Sequence, residues 1–98
     1  MARLELTAAA EADLEQIGDY IAHENPLAAV RLVLDIREHC RKIAAVPGIG
    51  RTRPELGANL RSLALQPYVI VYSHTEPDRV IVIRIVHGAR DLPRLMQD

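Results

Sequence analysis

The stretch Val80-Ile81-Val82-Ile83-Arg84-Ile85-Val86-His87 is the most apolar run in the chain, and the architecture can be read outward from it. Valine and isoleucine crowd a helix but suit an extended backbone, so the run reads as a central strand of a sheet. Successive side chains of a strand point to opposite faces. Strict alternation places Ile81, Ile83, Ile85 and His87 on one face and Val80, Val82, Arg84 and Val86 on the other. The isoleucine face is the better match for helices. The valine face, with Arg84 at its centre, is then left without cover, and an uncovered apolar face marks a binding surface.

Upstream of that run, Glu76-Pro77-Asp78 is a turn, and Tyr68–Ser73 and Leu60–Leu65 read as two more strands. Pro67 between them lacks a backbone donor and marks their connection. Pro47, Gly48 and Gly50 end a preceding helix and open a loop that continues to about Ala58. That helix starts at Asn25-Pro26, a preferred N-cap followed by a residue whose missing N–H is not needed in the first turn. It runs to about Val46 with Ala29, Val33, Ile36, Cys40 and Ile43 along one side. An earlier helix from Ala8 to about His23, capped by Thr7, places Ala10, Leu14, Ile17 and Ile21 at spacings of three and four. Few residues join the two helices, which predicts an antiparallel hairpin. Arg3–Leu6 alternates as a first short strand. Gly88 ends the last strand, and Asp91 caps a short final helix reaching Met96. The expected fold is therefore α+β: an N-terminal strand, a two-helix hairpin, an antiparallel three-strand meander and a short C-terminal helix, in one domain spanning 1–98.

Composition narrows the functional classes. The 98 residues are 49% hydrophobic, with no Phe or Trp, so aliphatic side chains must build the core. The net charge of -1 is unlike the strong basic excess of a protein that grips nucleic acid by its phosphates, although Arg51 to Arg61 is locally basic. Sequence-specific DNA binding by this chain alone is not expected. Cys40 is the only cysteine, which excludes an internal disulfide and suggests a small core residue. His23, His39, His74 and His87 are scattered without ligand spacing, so no metal is expected. Gly48-Ile49-Gly50 lacks the context of a phosphate-cradling loop, and no cofactor is expected. The absence of a signal-like or membrane-length apolar run points to a soluble, cytoplasmic protein.

Two kinds of chemistry fit the polar residues near the meander. Arg61 and Arg84, with Arg51 and Arg53 on the preceding loop, have the charge to hold a scissile phosphate, and His87 is the residue type that most often serves as a general acid. The same residues also read as surface and structural groups. Arg84 then pairs with an acid such as Glu55 or Asp91, and His87 bonds to backbone at a strand end.

Several phrases carry a resemblance when taken together and in order. They are Ala12-Asp13-Leu14-Glu15-Gln16-Ile17 with Tyr20-Ile21, Asn25-Pro26 with Ala28-Ala29, Pro47-Gly48-Ile49-Gly50-Arg51, and Glu55-Leu56 followed by Leu60-Arg61-Ser62. Tyr68-Val69-Ile70-Val71-Tyr72 and Val86-His87-Gly88-Ala89-Arg90-Asp91 complete the set. The chain resembles the ParE toxins of type II toxin–antitoxin modules, within the RelE/ParE superfamily, over nearly its whole length. The resemblance implies the fold already read and a hetero-oligomer with a ParD-like antitoxin whose C-terminal tail folds on binding. Val80, Val82, Arg84 and Val86 are the expected docking face for that tail, with the outer side of the helical hairpin as the alternative. Characterised ParE-like members poison DNA gyrase without performing chemistry, whereas RelE-like members cut mRNA in the ribosome. The resemblance favours gyrase, with His87, Arg90 and Asp91 as candidate target contacts. The alternative is a ribosome-dependent mRNA endonuclease using Arg61, Arg84 and His87. A third reading is a binding module or decayed toxin without activity.

Overall fold

The computed structural model describes residues 1–88. Strand β1 (Arg3–Leu6) leads into helix α1 (Ala8–Ala22) and helix α2 (Pro26–Ala45). The Thr7 hydroxyl accepts the Ala10 N–H at 3.0 Å, and the Asn25 side chain accepts the Ala28 N–H at 3.0 Å. Both helix starts thus lie where the capping residues place them. The loop expected from Pro47 contains a single 3-10 turn (Pro47–Ile49) and a two-residue strand β2 (Arg51–Thr52). The meander follows as β3 (Leu60–Leu65), β4 (Tyr68–Glu76) and β5 (Arg79–His87). The expected helix from Asp91 to Met96 lies outside the described residues.

The sheet has the order β1-β5-β4-β3-β2. β1 lies parallel to β5, with Leu4 opposite Val80 and Leu6 opposite Val82, and the remaining pairs are antiparallel. The most apolar strand is therefore internal, between β1 and β4, as its composition requires. The helical hairpin covers one sheet face. The main core there contains Leu14, Ile36, Cys40, Ile43, Ile70, Tyr72, Val80, Val82 and Ile85. Removing an Ile or Leu side chain of this kind from water contributes about 1.5–3 kcal/mol.

The alternation expected along β5 breaks in its middle. Val71 pairs with Arg84, but Tyr72 pairs with Val82, so Ile83 is an extra residue on β5. Such a bulge shifts every later side chain to the opposite face. Ile85 meets the helices as expected, whereas Val80 and Val82 are fully buried beneath them rather than on an open face. Val86 does lie on the second face, with Val71 and Leu56, each less than a tenth exposed. That face is not bare either, because the loop before β3 folds Leu56 onto it, and Leu60 and Val69 pack at the edge.

Helix α1 holds the bulge in place. The Thr7 N–H donates to the Val82 carbonyl at 3.0 Å, and the Thr7 hydroxyl donates to the Ile83 carbonyl at 2.7 Å. Further along β5, the Ile85 N–H donates to the Asp13 carboxylate at 3.0 Å. Thr7 and Asp13 thus take over the strand edge where β1 ends, satisfying backbone groups of β5 that β1 does not reach.

Candidate interaction surfaces

The structure gives the arginines of the expected ribonuclease set partners within the chain. Arg84 is held by Asp13 through Nε at 2.7 Å and Nη2 at 2.9 Å, a two-pronged pair in which Asp13 is only 12% exposed. That hydrogen bond raises the guanidinium's already high pKa. The acid is Asp13 rather than the expected Glu55, because the helical turn of α1 brings it to the β5 edge, and the other candidate, Asp91, lies outside the described residues. Arg61 sits on β3, with β4 between it and Arg84, and donates from Nη1 to the Gly50 carbonyl at 2.7 Å. Arg53 donates to the Glu55 carboxylate at 2.8 Å and to the Ser62 hydroxyl at 3.0 Å. The Arg53 guanidinium holds the Glu55 carboxyl below its ordinary range. Arg51 is exposed on β2.

His87 is exposed at the end of β5, where its ring meets the Tyr68 ring edge-on with centroids 5.8 Å apart. Both line an open cleft of about 670 Å³ between α1 and the end of the meander, together with Asp13, Gln16, Tyr20 and Ile85. Arg90 and Asp91 lie outside the described residues. Among the described residues no group of three or more His, Cys, Asp or Glu side chains is placed to hold a metal ion. Among the same residues no helix is long and apolar enough to cross a membrane.

The outer side of the hairpin, the alternative docking face, carries an exposed apolar row on α2 that the sequence reading did not resolve into residues. Leu27, Val30 and Leu34 are 58%, 56% and 60% exposed. Their spacing of three and four residues aligns them on one side of the helix. The signal was present, because α2 carries a second apolar row opposite Ala29, Ile36, Cys40 and Ile43. Beside that row, α1 contributes Glu11, Glu15 and Asp19 to a groove of about 600 Å³ along the hairpin, with Val33 and Arg37 from α2. Glu11 is engaged by Arg37 at 3.5 Å.

A second exposed apolar pair, Val46 and Ile49, sits where α2 passes into the 3-10 turn. The Tyr72 hydroxyl fixes this turn: it donates to the Pro47 carbonyl at 2.6 Å and accepts the Gly50 N–H at 2.9 Å. A side chain at Gly50 would place its Cβ 2.6 Å from that hydroxyl and 2.7 Å from the Ser62 carbonyl oxygen, so only glycine fits. Burial raises the Tyr72 phenol above its ordinary range, and it stays a neutral donor at physiological pH.

The described residues form a two-layer α+β domain with an exposed apolar row on α2. Residues 4–92 match the family model described as ParE toxin of type II toxin-antitoxin system, parDE. The chain belongs to that family and is the toxin component of a type II toxin–antitoxin system. It is 36% identical over 90 residues to Toxin RelE2 of Caulobacter vibrioides, covering 92% of this chain and 99% of that one. Its fold is similar to a solved structure titled chromosomal ParDE TA system from P. aeruginosa, with a TM-score of 0.76 and 28% identity. That likeness covers 89% of this chain and 96% of the other.

Proposed function

We propose that this toxin acts by binding DNA gyrase rather than by cutting RNA, and that a ParD-like antitoxin neutralises it. The observation that carries the reading is the engagement of the arginines. Arg84 is bound by Asp13, Arg61 by the Gly50 carbonyl, and Arg53 by Glu55 and Ser62. Asp13 and Glu55 already offset the charges of Arg84 and Arg53, which reduces what a phosphate would gain by binding them. Membership of the ParE family and the near-neutral net charge support a protein target in the same direction.

For the antitoxin, the burial of Val80 and Val82 favours the helical hairpin, the alternative docking surface. Leu27, Val30 and Leu34 offer an apolar row of the kind that an amphipathic segment covers on folding. Purified toxin is expected to inhibit supercoiling or to accumulate cleaved plasmid. Unimpaired gyrase at high toxin-to-gyrase ratios would refute the target.

The endonuclease reading retains one supporting feature, His87 exposed at the mouth of a cleft beside Tyr68. It requires toxin-dependent cuts in mRNA on translating ribosomes that disappear in His87→Ala, a change that leaves the core intact.

A further inference from the structure

Between Glu38 and Glu55 the chain contains no acidic residue, while Arg41, Lys42, Arg51 and Arg53 all fall within that interval. The structure divides these four cations. Arg41 is bound to Glu38 at 2.9 Å and Arg53 to Glu55 at 2.8 Å. Lys42 and Arg51 are exposed and form no ion pair among the described residues. Between them along the chain stand Val46 and Ile49, 57% and 46% exposed, with open space above Gly48. An apolar pair flanked along the chain by two exposed cations, of which Arg51 acts on Glu55 only through its field, is thus presented to solvent.

That segment is also rigid. Gly50 is held through both its backbone polar groups, its N–H by the Tyr72 hydroxyl and its carbonyl by Arg61, and the Pro47 carbonyl is held by the same hydroxyl. Tyr72 is fully buried, so the turn is anchored to the core of the sheet. A surface fixed before binding loses little conformational entropy on association, which is what an apolar anchor at an interface needs.

We propose that Val46 and Ile49, flanked by Lys42 and Arg51, form the surface by which the toxin engages its cellular target, a protein presenting an apolar recess rimmed by carboxylates. The inference rests on the reading that the toxin acts by binding a protein. Protein is favoured over nucleic acid because the exposed centre is aliphatic and the charges stand at its rim, the arrangement of a protein interface. This surface is separate from the Leu27–Val30–Leu34 row assigned to the antitoxin, so the two functions can be dissected by substitution.

The test uses the full chain, induced in cells without antitoxin and purified with it. The variants are Val46→Asp/Ile49→Asp and Lys42→Glu/Arg51→Glu, all at exposed positions. Growth arrest on induction should be lost in the first and weakened at least tenfold in the second, in toxin needed per cell. Antitoxin affinity and the circular-dichroism melting temperature should stay within about twofold and about 3 °C of the wild type. Wild-type arrest by a Val46→Asp/Ile49→Asp chain would overturn the proposal. So would equal loss of antitoxin binding, which would make the surface part of the antitoxin site. Binding of a fluorescent DNA duplex by the toxin, lost in Lys42→Glu/Arg51→Glu but retained in Val46→Asp/Ile49→Asp, would reassign it to nucleic acid and overturn it as well. A wild-type chain that arrests growth while leaving supercoiling untouched refutes gyrase as the target, and the variants still decide the surface.

Discussion

Replacing Asp13 by alanine should destabilise the toxin by about 3 kcal/mol, through the two groups it leaves without a partner. One is the Ile85 N–H, in a residue that is 1% exposed. A buried donor deprived of its acceptor costs about 1–3 kcal/mol. The other is the Arg84 guanidinium, whose two hydrogen bonds to Asp13 measure 2.7 and 2.9 Å. Stranding one member of a fully buried ion pair costs about 3–5 kcal/mol, but the Arg84 side chain is 24% exposed and water recovers part of that. For a domain of this size, about 3 kcal/mol corresponds to a melting temperature lower by roughly 12–24 °C. Urea unfolding followed by far-UV circular dichroism, at an unchanged slope, measures it. Arg84→Ala and the double variant complete a cycle whose coupling should exceed about 1 kcal/mol. Two results would refute the reasoning: a loss below about 0.5 kcal/mol for Asp13→Ala, or strict additivity in the cycle. The cycle also separates the roles proposed for Arg84. If the arginine is structural, both single variants lose activity only in proportion to their unfolded fraction, whereas a phosphate-holding arginine would lose far more than Asp13→Ala does.

Other substitutions probe the faces and the turn. Val82→Asp places a carboxylate at a fully buried position, with an expected cost above about 4 kcal/mol, and should give no cooperative unfolding transition. Leu34→Asp, at an exposed position, should change stability by less than about 0.5 kcal/mol yet weaken antitoxin capture in a pull-down. Gly50→Ala should destabilise by more than about 2 kcal/mol in urea melts. Adding Tyr72→Phe should not rescue it, because the Ser62 carbonyl still meets the new Cβ. Burial pushes the Cys40 thiol from 9.0 up to about 11. The unfolded thiol therefore loses its proton first as pH rises. Stability is whole below pH 9 and falls between 9 and 11, by up to about 2–3 kcal/mol. Cys40→Ala should flatten that alkaline limb in urea melts at pH 8 and 10.5, and an equal fall in both proteins would exclude the thiol as its source.

The elements of this fold were legible because each depends on chemistry local in sequence. Thr7 and Asn25-Pro26 set the helix starts, Pro47 and Gly48 the stop of α2, and the Val/Ile run of β5 its central place. Cys40 reads as a core residue and is one. Strand β2 was not legible, since two exposed residues form it only by pairing with Arg61 and Ser62. The partner of Arg84 was not legible either. Asp13 is 71 residues distant in the chain, and only the packing of α1 across the β5 edge brings them together.

The larger difference comes from one residue and changes where function is sought. Alternation assigns β5 faces correctly only while every residue pairs, and the extra residue Ile83 interrupts that phase. A bulge leaves little trace in composition, because Ile83 is as apolar as its neighbours; what stabilises it is the Thr7 hydroxyl, a residue already accounted for as a helix cap. Once the phase shifts, Val80 and Val82 join the helix-side core and cannot form a docking face. The exposed apolar area that binding requires must then come from elements whose apolar residues exceed what the core can bury. Helix α2 meets that condition, since Ala29, Ile36, Cys40 and Ile43 complete its buried side while Leu27, Val30 and Leu34 remain outside. An aliphatic helix with two apolar sides in a chain this small is therefore a stronger sign of a partner than an apolar strand, because a central strand is expected to be buried on both faces by its own fold.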